Sequence, residues 1–599
     1  CRRNGESYSG TLKISIRIRS HTVDLGVVDV AGGTVPVMVM SDLCNLSKLP
    51  RSELYKVNEE AREIGGYFIP IAVSRTTFKK RGSGFTEHCI IMRCVREDEN
   101  GAPVMLHWVT NGEPVLAFTV ENEQVFVPVS ILLRALVDKT DFEVYEDIIR
   151  GGRNSLSLEE CALRIVSRYK NEDYFSQART LRHIGRHFRL KMHISKRLSD
   201  LEAGKHLLTE YVLIHTKSFF EKYHILCFMI RKLHTFASGD CCIENNDNLM
   251  FQEVLLPGTQ YLQLLRVCFS PLLLNRLITF LHSAREQISM MARRAAKPPE
   301  YANFRQSLNR TYAEVTSSMT TFIMTGNLPG TSKAVLGRLL NGQSTGLSVT
   351  VDNINFLRFA AQFRAVHRGS VFMEMKTTSV RRLQPEAYGF ICPVNTPDGS
   401  PCGLLNHLAT NTEVCHVVTE TPSDSIVDDL AKWLREHYVR PVELPQQLMG
   451  EEEYCRIFPV LLDGRLIGWS PSGASAMELA HTLRAAKLDE TCTIVPSNLE
   501  ICLAPPTNTA SQYPGLYLFV GASRLLRPVY SYVRTGGHNW DNPEIEMIGT
   551  FEQPYMDIPV TQLELMERYP KDRLHREIAQ ENIFSFIASL TPFCNFNQV

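Results

Sequence analysis

The chain has 599 residues, of which 44% are hydrophobic and 21% charged, and Lys+Arg and Asp+Glu each total 64, so the formal net charge is zero. That length allows several domains and a large apolar core. The balance of charge excludes a wholesale polyanion binder, so any contact with nucleic acid must come from a local basic feature. The 16 cysteines are scattered, with no Cys-x-x-Cys pair and only Cys241 and Cys242 adjacent. That spacing supports neither a zinc site nor a disulfide framework, and reads as buried free thiols of a reducing compartment. The apolar run from Tyr261 to His282 is broken by Arg266, Pro271 and Arg276, which argues against a membrane span. Residue 1 is Cys and no signal peptide is evident, so a nuclear or cytosolic fragment is expected.

In chain order, the alternation at Lys13 to Arg19 and the β-branched run at Val35 to Met40 predict strands, and Ser52 to Ile64 predicts a charged amphipathic helix ending at Gly65-Gly66. Strands are expected at Cys89 to Val95, Val104 to Val109 and Val115 to Val120, followed by helices that include the apolar Ile131 to Val137. Arg179 to Leu190 interleaves basic residues with Leu181, Ile184 and Phe188 at helical spacing, the pattern of a core-docked helix with a wetted basic face. His183 and His187 share a face of it, but with no third ligand nearby no metal site is expected. Ser238 to Asn248 reads as a polar surface loop; its glycine, Gly239, stands too early for a calcium loop. Pro298-Pro299 marks a boundary, Tyr301 to Met324 a long helix, and Gly330 to Lys333 lacks the spacing of a phosphate loop. Further on, Phe458 to Trp469 predicts a hairpin on Asp463-Gly464, Met477 to Lys487 a helix and Leu516 to Val520 a buried strand.

The most informative stretch is central, from Arg364 to Leu408. Between Asn355 and Pro385 stand Arg358, Arg364, Arg368, Lys376, Arg381 and Arg382 against Glu374 alone, a local cationic arm suited to a phosphate backbone. Charge by itself leaves open a solvated helix face. Phe356, Leu357, Phe359, Ala360 and Phe363 predict that the arm starts as a helix and runs into a loop near Arg368-Gly369. Tyr388 to Pro393 reads as a short buried strand, and Thr396-Pro397-Asp398-Gly399 and Pro401-Cys402-Gly403 as two successive turns. Such a pair of turns makes a rigid loop able to present side chains at a fixed place.

The string RRLQPEAYGFICPVNTPDGSPCGLLNHLA, Arg381 to Ala409, resembles the signature of the second-largest, beta-like subunits of multisubunit RNA polymerases, and within that family looks most like the RNA polymerase I type. Agreement continues in order at Ser41 to Leu46, Gly65 to Ile69, Thr325 to Leu328, Phe458 to Gly468, Tyr513 to Phe519, Arg527-Pro528 and Ile548 to Thr550. Asn406, where other classes usually carry lysine, and Asn395, in place of a glutamate, are departures that weaken the class assignment more than the family. The resemblance implies an α+β, multidomain fold: residues 1–78 the first part of a protrusion, 79–297 a lobe, 298–325 the return to the protrusion, 326–409 a fork, and 410–505 and 506–599 two β-rich external domains. Ile69 runs straight into Pro70-Ile71-Ala72-Val73 where the family places a hairpin, so two pieces are expected to be joined there.

By the same resemblance the protein is part of a nucleotidyltransferase, the DNA-directed RNA polymerase that makes ribosomal RNA precursor in the nucleolus of the nucleus. Its implied partners are the largest subunit, smaller subunits, DNA template, RNA transcript and ribonucleoside triphosphates, with no membrane. Magnesium would be held mainly by aspartates of the largest subunit, and a zinc site is expected only in a segment following Val599. No Asp-x-Asp cluster, His-Glu-x-x-His, Gly-x-Ser-x-Gly or Walker loop occurs, so no catalytic residue is assigned. The implied nucleic-acid-binding residues are Arg381 and Arg382 at the downstream edge of the bubble, Arg364, Arg368 and Lys376 in the basic loop before them, and Asp398 and Ser400 in the turn. Cys392 and Cys402 are expected to pack the fork rather than to act. The alternatives are the equivalent subunit of polymerase II or III, or a non-catalytic nucleic-acid-binding scaffold.

Overall fold

The computed structural model of the chain describes residues 8–265, 316–327, 346–442, 458–533 and 543–596, less short stretches within them, of which 68–72, 79–87, 97–100, 151–155, 193–197, 373–377, 417–422, 506–511 and 568–572 are the longest. It opens with a long antiparallel hairpin, β1 (Ser9–Arg19) and β2 (Asp24–Pro36). The apolar run expected as a strand to Met40 leaves β2 at Pro36, and Met40 turns into the left-handed region at φ 62°. The helix expected at Ser52 to Ile64 is instead a short 3-10 turn, Arg51–Val57. Glu63 is buried, and its carboxylate accepts from the Gly65 N–H at 3.0 Å and the Tyr67 hydroxyl at 2.9 Å. With Gly65 and Gly66 at φ 69° and 82°, these bonds fix a non-helical turn at 63–67, while 58 and 60–62 lie outside the described residues.

Two short strands follow, β3 (Val73–Ser74) and β4 (Thr76–Phe78), then a meander of β5 (Cys89–Val95), β6 (Gly101–His107), β7 (Val115–Val120) and β8 (Glu123–Pro128). Six helices come next: α1 (Val129–Leu136), α2 (Asp141–Ile149), α3 (Leu156–Ser167), α4 (Gln177–Phe188), α5 (Asp200–Glu210) and α6 (Phe219–Ala237). Capping boxes start α2, at Thr140 and Glu143, and α5, at Ser199 and Glu202. The helix expected at Tyr301 to Met324 lies largely outside the described residues; at its end 316–317 and 319–325 are seen, as helix. Gly330 to Lys333 and the Pro298-Pro299 boundary also lie outside them.

The remaining strands and α-helices described are β9 (Val254–Leu255), β10 (Ser348–Val349), α7 (Phe356–Phe363), β11 (Ala365–His367), β12 (Leu405–His407), β13 (Glu413–Val414), α8 (Ser423–His437), β14 (Phe458–Leu462), β15 (Arg465–Ser470), α9 (Gly473–Leu488), β16 (Glu500–Ala504), β17 (Gly515–Phe519), β18 (Leu525–Val533), β19 (Glu544–Gly549), α10 (Gln562–Glu567), β20 (Arg573–Arg576) and α11 (Phe586–Leu590). Their pairing is strongly non-local. β4 sits between β9 and β11 in a sheet ordered β12-β11-β4-β9, and β3 pairs β10. A second sheet runs β15-β14-β17-β16, and a third has β18 between β13 and β19, with β20 also on β18. The β14–β15 hairpin turns on Asp463 and Gly464 at φ 46° and 80°, the doubly left-handed turn that an Asp-Gly pair favours.

The largest core joins the β5–β8 meander and helices α1 to α6 to the second sheet. Leu106, Phe118, Leu133, Ile148 and Leu226 are buried in the same apolar cluster as Leu461, Leu466, Trp469 and Cys502. Within it α4 crosses α5 at two glycines. A Cβ on Gly185 would stand 1.8 Å from the Asp200 carbonyl oxygen, and one on Gly204 2.2 Å from that of Leu181. Both obstacles are backbone and cannot swing away. G185A should therefore destabilise the intact protein by about 3 kcal/mol, the upper end of overpacking costs, read as a fall in the midpoint of urea unfolding with G258A, at a glycine with nothing within 4 Å of an added Cβ and an ordinary φ, as the comparison.

Candidate nucleic-acid interface

The cationic arm starts on α7, where the Asn355 side chain accepts from the Arg358 N–H at 2.8 Å and so fixes the helix start. Arg358 pairs with Asp352 at 3.0 Å in solvent. Past the helix end, Arg364 turns inward. Its Nη2 donates to the carbonyls of Thr410 at 3.1 Å, Thr412 at 3.0 Å and Ala409, and burial lowers its pKa from the ordinary value despite Glu413 nearby. Arg368 is also buried; its main-chain N–H donates to the Leu404 carbonyl at 2.9 Å, and burial likewise lowers its pKa. Lys376 lies outside the described residues.

Arg381 ends a 3-10 turn, Ser379–Arg381, and its Nη1 donates to the carbonyls of Ser400 and Cys402, both at 2.7 Å. Arg382 beside it is exposed; its main-chain N–H donates to the Ser379 carbonyl at 3.3 Å, and its guanidinium makes no hydrogen bond or ion pair among the described residues. Tyr388 to Pro393 is not the strand its composition suggests. Gly389 takes φ 82° directly after a 3-10 turn, Pro385–Ala387, and of the segment only Ile391 pairs, in a lone bridge to Leu408.

The two expected turns form one braced loop. Thr396 Oγ1 donates to the Leu405 carbonyl at 2.9 Å and accepts from the Gly403 N–H at 3.0 Å, while Gly399 and Gly403 take φ 84° and 72°. Asp398, Gly399 and Ser400 are exposed at its apex. Asn406 Nδ2 donates to the Gly403 carbonyl at 3.3 Å, and Asn395 Nδ2 to Ser585 Oγ at 3.0 Å, so both residues that depart from the family pattern serve the loop's frame. Cys392 is buried and Cys402 half-buried, both free thiols.

Behind the loop lies a support the sequence does not announce. Arg527 on β18 meets Glu577 in a two-pronged pair at 2.7 and 2.8 Å, donates from Nε to Gln553 at 2.6 Å and lies 5.5 Å from the Phe390 ring centre. A Cβ on Gly389 would stand 2.7 Å from the Arg527 guanidinium carbon, so glycine is what admits this arginine. The sequence marks Arg527 only as half of a matching Arg-Pro pair, and nothing marks Glu577.

Further back, a buried charge network joins α9 to the third sheet. Arg484 binds Glu546 and Glu552, the latter at 3.0 Å; Lys487 stands 3.7 Å from Glu546, and His575 Nε2 is 2.9 Å from it. Burial pushes the Glu546 carboxyl up, but Arg484, His575 and Lys487 outweigh it and hold the pKa well below the usual carboxylate range. Neither magnesium nor zinc finds a ligand set here, because no group of three or more His, Cys, Asp or Glu side chains among the described residues is placed to hold a metal ion. No helix among the described residues is long and apolar enough to cross a membrane.

Comparison with known proteins follows the same order along the chain. Residues 1–72 match the family described as RNA polymerase beta subunit, 70–255 RNA polymerase Rpb2, domain 2, and 349–414 RNA polymerase Rpb2, domain 3. The chain belongs to the Rpb2-type family of second-largest RNA polymerase subunits. Residues 467–527 also match the domain described as RNA polymerase I, Rpa2 specific domain, which points to the polymerase I type within the family. Among curated relatives, the chain is 36% identical over 94% of its length to the probable DNA-directed RNA polymerase I subunit RPA2 of Schizosaccharomyces pombe, covering 48% of that protein. It is 36% and 34% identical over its full length to the DNA-directed RNA polymerase I subunit RPA2 of Mus musculus and of Homo sapiens, covering 51% of each. The chain thus spans about half the length of the curated relatives it matches.

R484M removes the cation between two buried carboxylates. It should cost about 3–5 kcal/mol, measured by urea unfolding of the intact protein. Glu546 is also the acid-sensitive member: with its folded pKa depressed, its contribution is present above the unfolded value of about 4.3 and lost as pH falls through the folded value. Stability measured from pH 6 down to pH 3 should therefore fall more steeply in wild type than in R484M.

Proposed function

We propose that this protein is the second-largest subunit of DNA-directed RNA polymerase I, forming part of the cleft in which DNA template and RNA transcript lie during synthesis of ribosomal RNA precursor. The observation that carries the reading is the polymerase I-specific match at 467–527, on the same chain as the Rpb2 domain containing the braced loop. The domain layout goes with it: protrusion at 1–78 and 298–325, lobe at 79–297, fork at 326–409, and external domains at 410–505 and 506–599. Supporting that layout, β4 is flanked by β9 and β11, which brings chain from before and after the lobe to the sheet that carries the fork.

Within the cleft, this chain supplies walls and contacts. Arg382, exposed and with its guanidinium unpaired among the described residues, is the side chain proposed to neutralise phosphate, with Lys376 joining it by position. Asp398 and Ser400 act at the exposed loop apex. A carboxylate repels phosphate and so suits sugar hydroxyl or base amino donors, whereas the Ser400 hydroxyl can donate to phosphate oxygen. Arg364 and Arg368, turned onto main-chain carbonyls, serve by holding the fork together. The nucleotidyl transfer itself takes place in the assembled enzyme, where Mg2+ is held mainly by the largest subunit and the smaller subunits complete the complex in the nucleus and nucleolus.

Genome-wide occupancy of the intact, tagged protein in its own cells tests the reading. Signal concentrated on the large ribosomal RNA genes is the expected result. Signal spread over messenger or transfer RNA genes would move the protein to polymerase II or III, and absence from all gene bodies would leave a scaffold. For the contact itself, R382Q in the assembled enzyme should weaken nucleic-acid binding with little sequence preference and shallow the slope of log affinity against log salt by roughly one.

A further inference from the structure

Arg381 and Arg382 are adjacent and equally basic, yet they are placed in opposite ways. Arg382 faces solvent. Arg381 meets the loop twice: its Nη1 takes the Ser400 and Cys402 carbonyls at 2.7 Å each, and its own main chain lies under Gly403, where an added Cβ would be 2.5 Å from the Arg381 carbonyl oxygen. Its segment is anchored by Val380, buried in one cluster with Phe372 and Leu404. On the other side of the loop Thr396 braces Gly403 and Leu405. The exposed apex, Asp398 to Ser400, therefore hangs between the Thr396 brace and the Arg381 clamp.

Building on the reading of the chain as a polymerase subunit, we propose that Arg381 is a positioning residue: its guanidinium sets the height and direction of Asp398 and Ser400 in the nucleic-acid cleft, instead of meeting phosphate itself. The chemistry favours this division. A lysine ammonium can also serve two carbonyls, but its nitrogen stands one bond nearer the main chain than arginine Nη1 and lacks the planar guanidinium that fixes direction, so from residue 381 it would not reach the point where the Ser400 and Cys402 carbonyls converge. A phosphate contact, by contrast, is served by either cation, because it depends chiefly on charge.

The test compares R381K, R381Q and G403A in the assembled polymerase, isolated with its wild-type counterpart and followed by single-nucleotide addition on a template–transcript scaffold. The expected result is a rate at saturating nucleotide lowered roughly tenfold in R381K and R381Q alike, per assembled molecule, with KM for nucleotide and the salt slope of scaffold binding unchanged. G403A, which keeps the arginine but forces the loop off it, should reproduce the same loss. Adding D398A and S400A to R381K should cost little more than either change alone, since the clamp acts through the apex. The proposal is overturned if R381K matches wild type while R381Q shallows the salt slope by about one, the signature of a direct phosphate contact. It is equally overturned if all three variants keep the wild-type rate per assembled molecule, which would leave Arg381 a purely structural residue. Failure of the wild-type complex to extend a transcript would instead count against the polymerase reading itself.

Discussion

The candidate site depends on one arginine reaching across the molecule. Arg527 comes from the third sheet, is held by Glu577 and Gln553, and occupies the space that a side chain at residue 389 would take. Gln553 closes the circuit by donating to the Tyr388 carbonyl at 2.9 Å. The start of the braced loop is thereby fastened to strands more than a hundred residues further along the chain. Every later feature of the loop, from the lone Ile391–Leu408 bridge to the Thr396 brace, is built out from that fixed point. A two-pronged arginine–carboxylate pair suits the task because it fixes direction as well as distance. Its burial is tolerable because the guanidinium is also hydrogen-bonded at Nε.

A second constraint works at larger scale. The region matched by the Rpa2 specific domain does not stand apart from the β5–β8 meander and its helices but completes their core. Arg231 of α6 lies 4.9 Å from the Trp469 ring centre and Phe228 packs edge-on to Tyr513 at 5.4 Å, while just ahead of the match Arg465 pairs with Glu221 at 3.2 Å. Apolar contact supplies most of the attraction and the charged edges fix the orientation. Lys222, one residue on, is buried and donates to the carbonyls of Leu208 at 2.6 Å and Val212 at 2.7 Å, which closes the open end of α5. Burial brings that ammonium down to about 8. The helices and the second sheet thus share one interior.

Much of this was legible in the sequence wherever a local pattern decided the outcome. The stretches expected as strands at Cys89–Val95 and Val115–Val120 are strands, Asp463-Gly464 makes its hairpin, and the basic helix docks through Leu181 and Ile184 with Arg179, Arg182 and Arg186 outside. The failures are places where distant partners overrule local pattern. Ser52 to Ile64 has helical periodicity, but its described start is a 3-10 turn, Arg51–Val57, and at its end the Glu63 carboxylate is spent on the Gly65 N–H and the Tyr67 hydroxyl. Tyr388 to Pro393 has strand composition, yet Arg527 and Gly389 bend it away from a ladder. In the candidate site, residue types were readable and directions were not. Nothing in the string Arg381-Arg382 says which guanidinium turns to the carbonyls of Ser400 and Cys402 and which to water, because that depends on where the loop returns.

The tip of the β14–β15 hairpin has a consequence for how this family diversifies. Gly464 sits so close to β5 that a Cβ would stand 2.8 Å from the Met92 methyl, with His215 just beyond, and Asp463 accepts from the Val520 and Gly521 N–H groups to hold the turn in that place. The turn stands just before the class-specific match at 467–527, which itself reaches α6 through Trp469 on Arg231 and Tyr513 on Phe228. Exchanging that segment between polymerase classes therefore exchanges one side of a shared interior, and Phe228 and Arg231 would have to go with it.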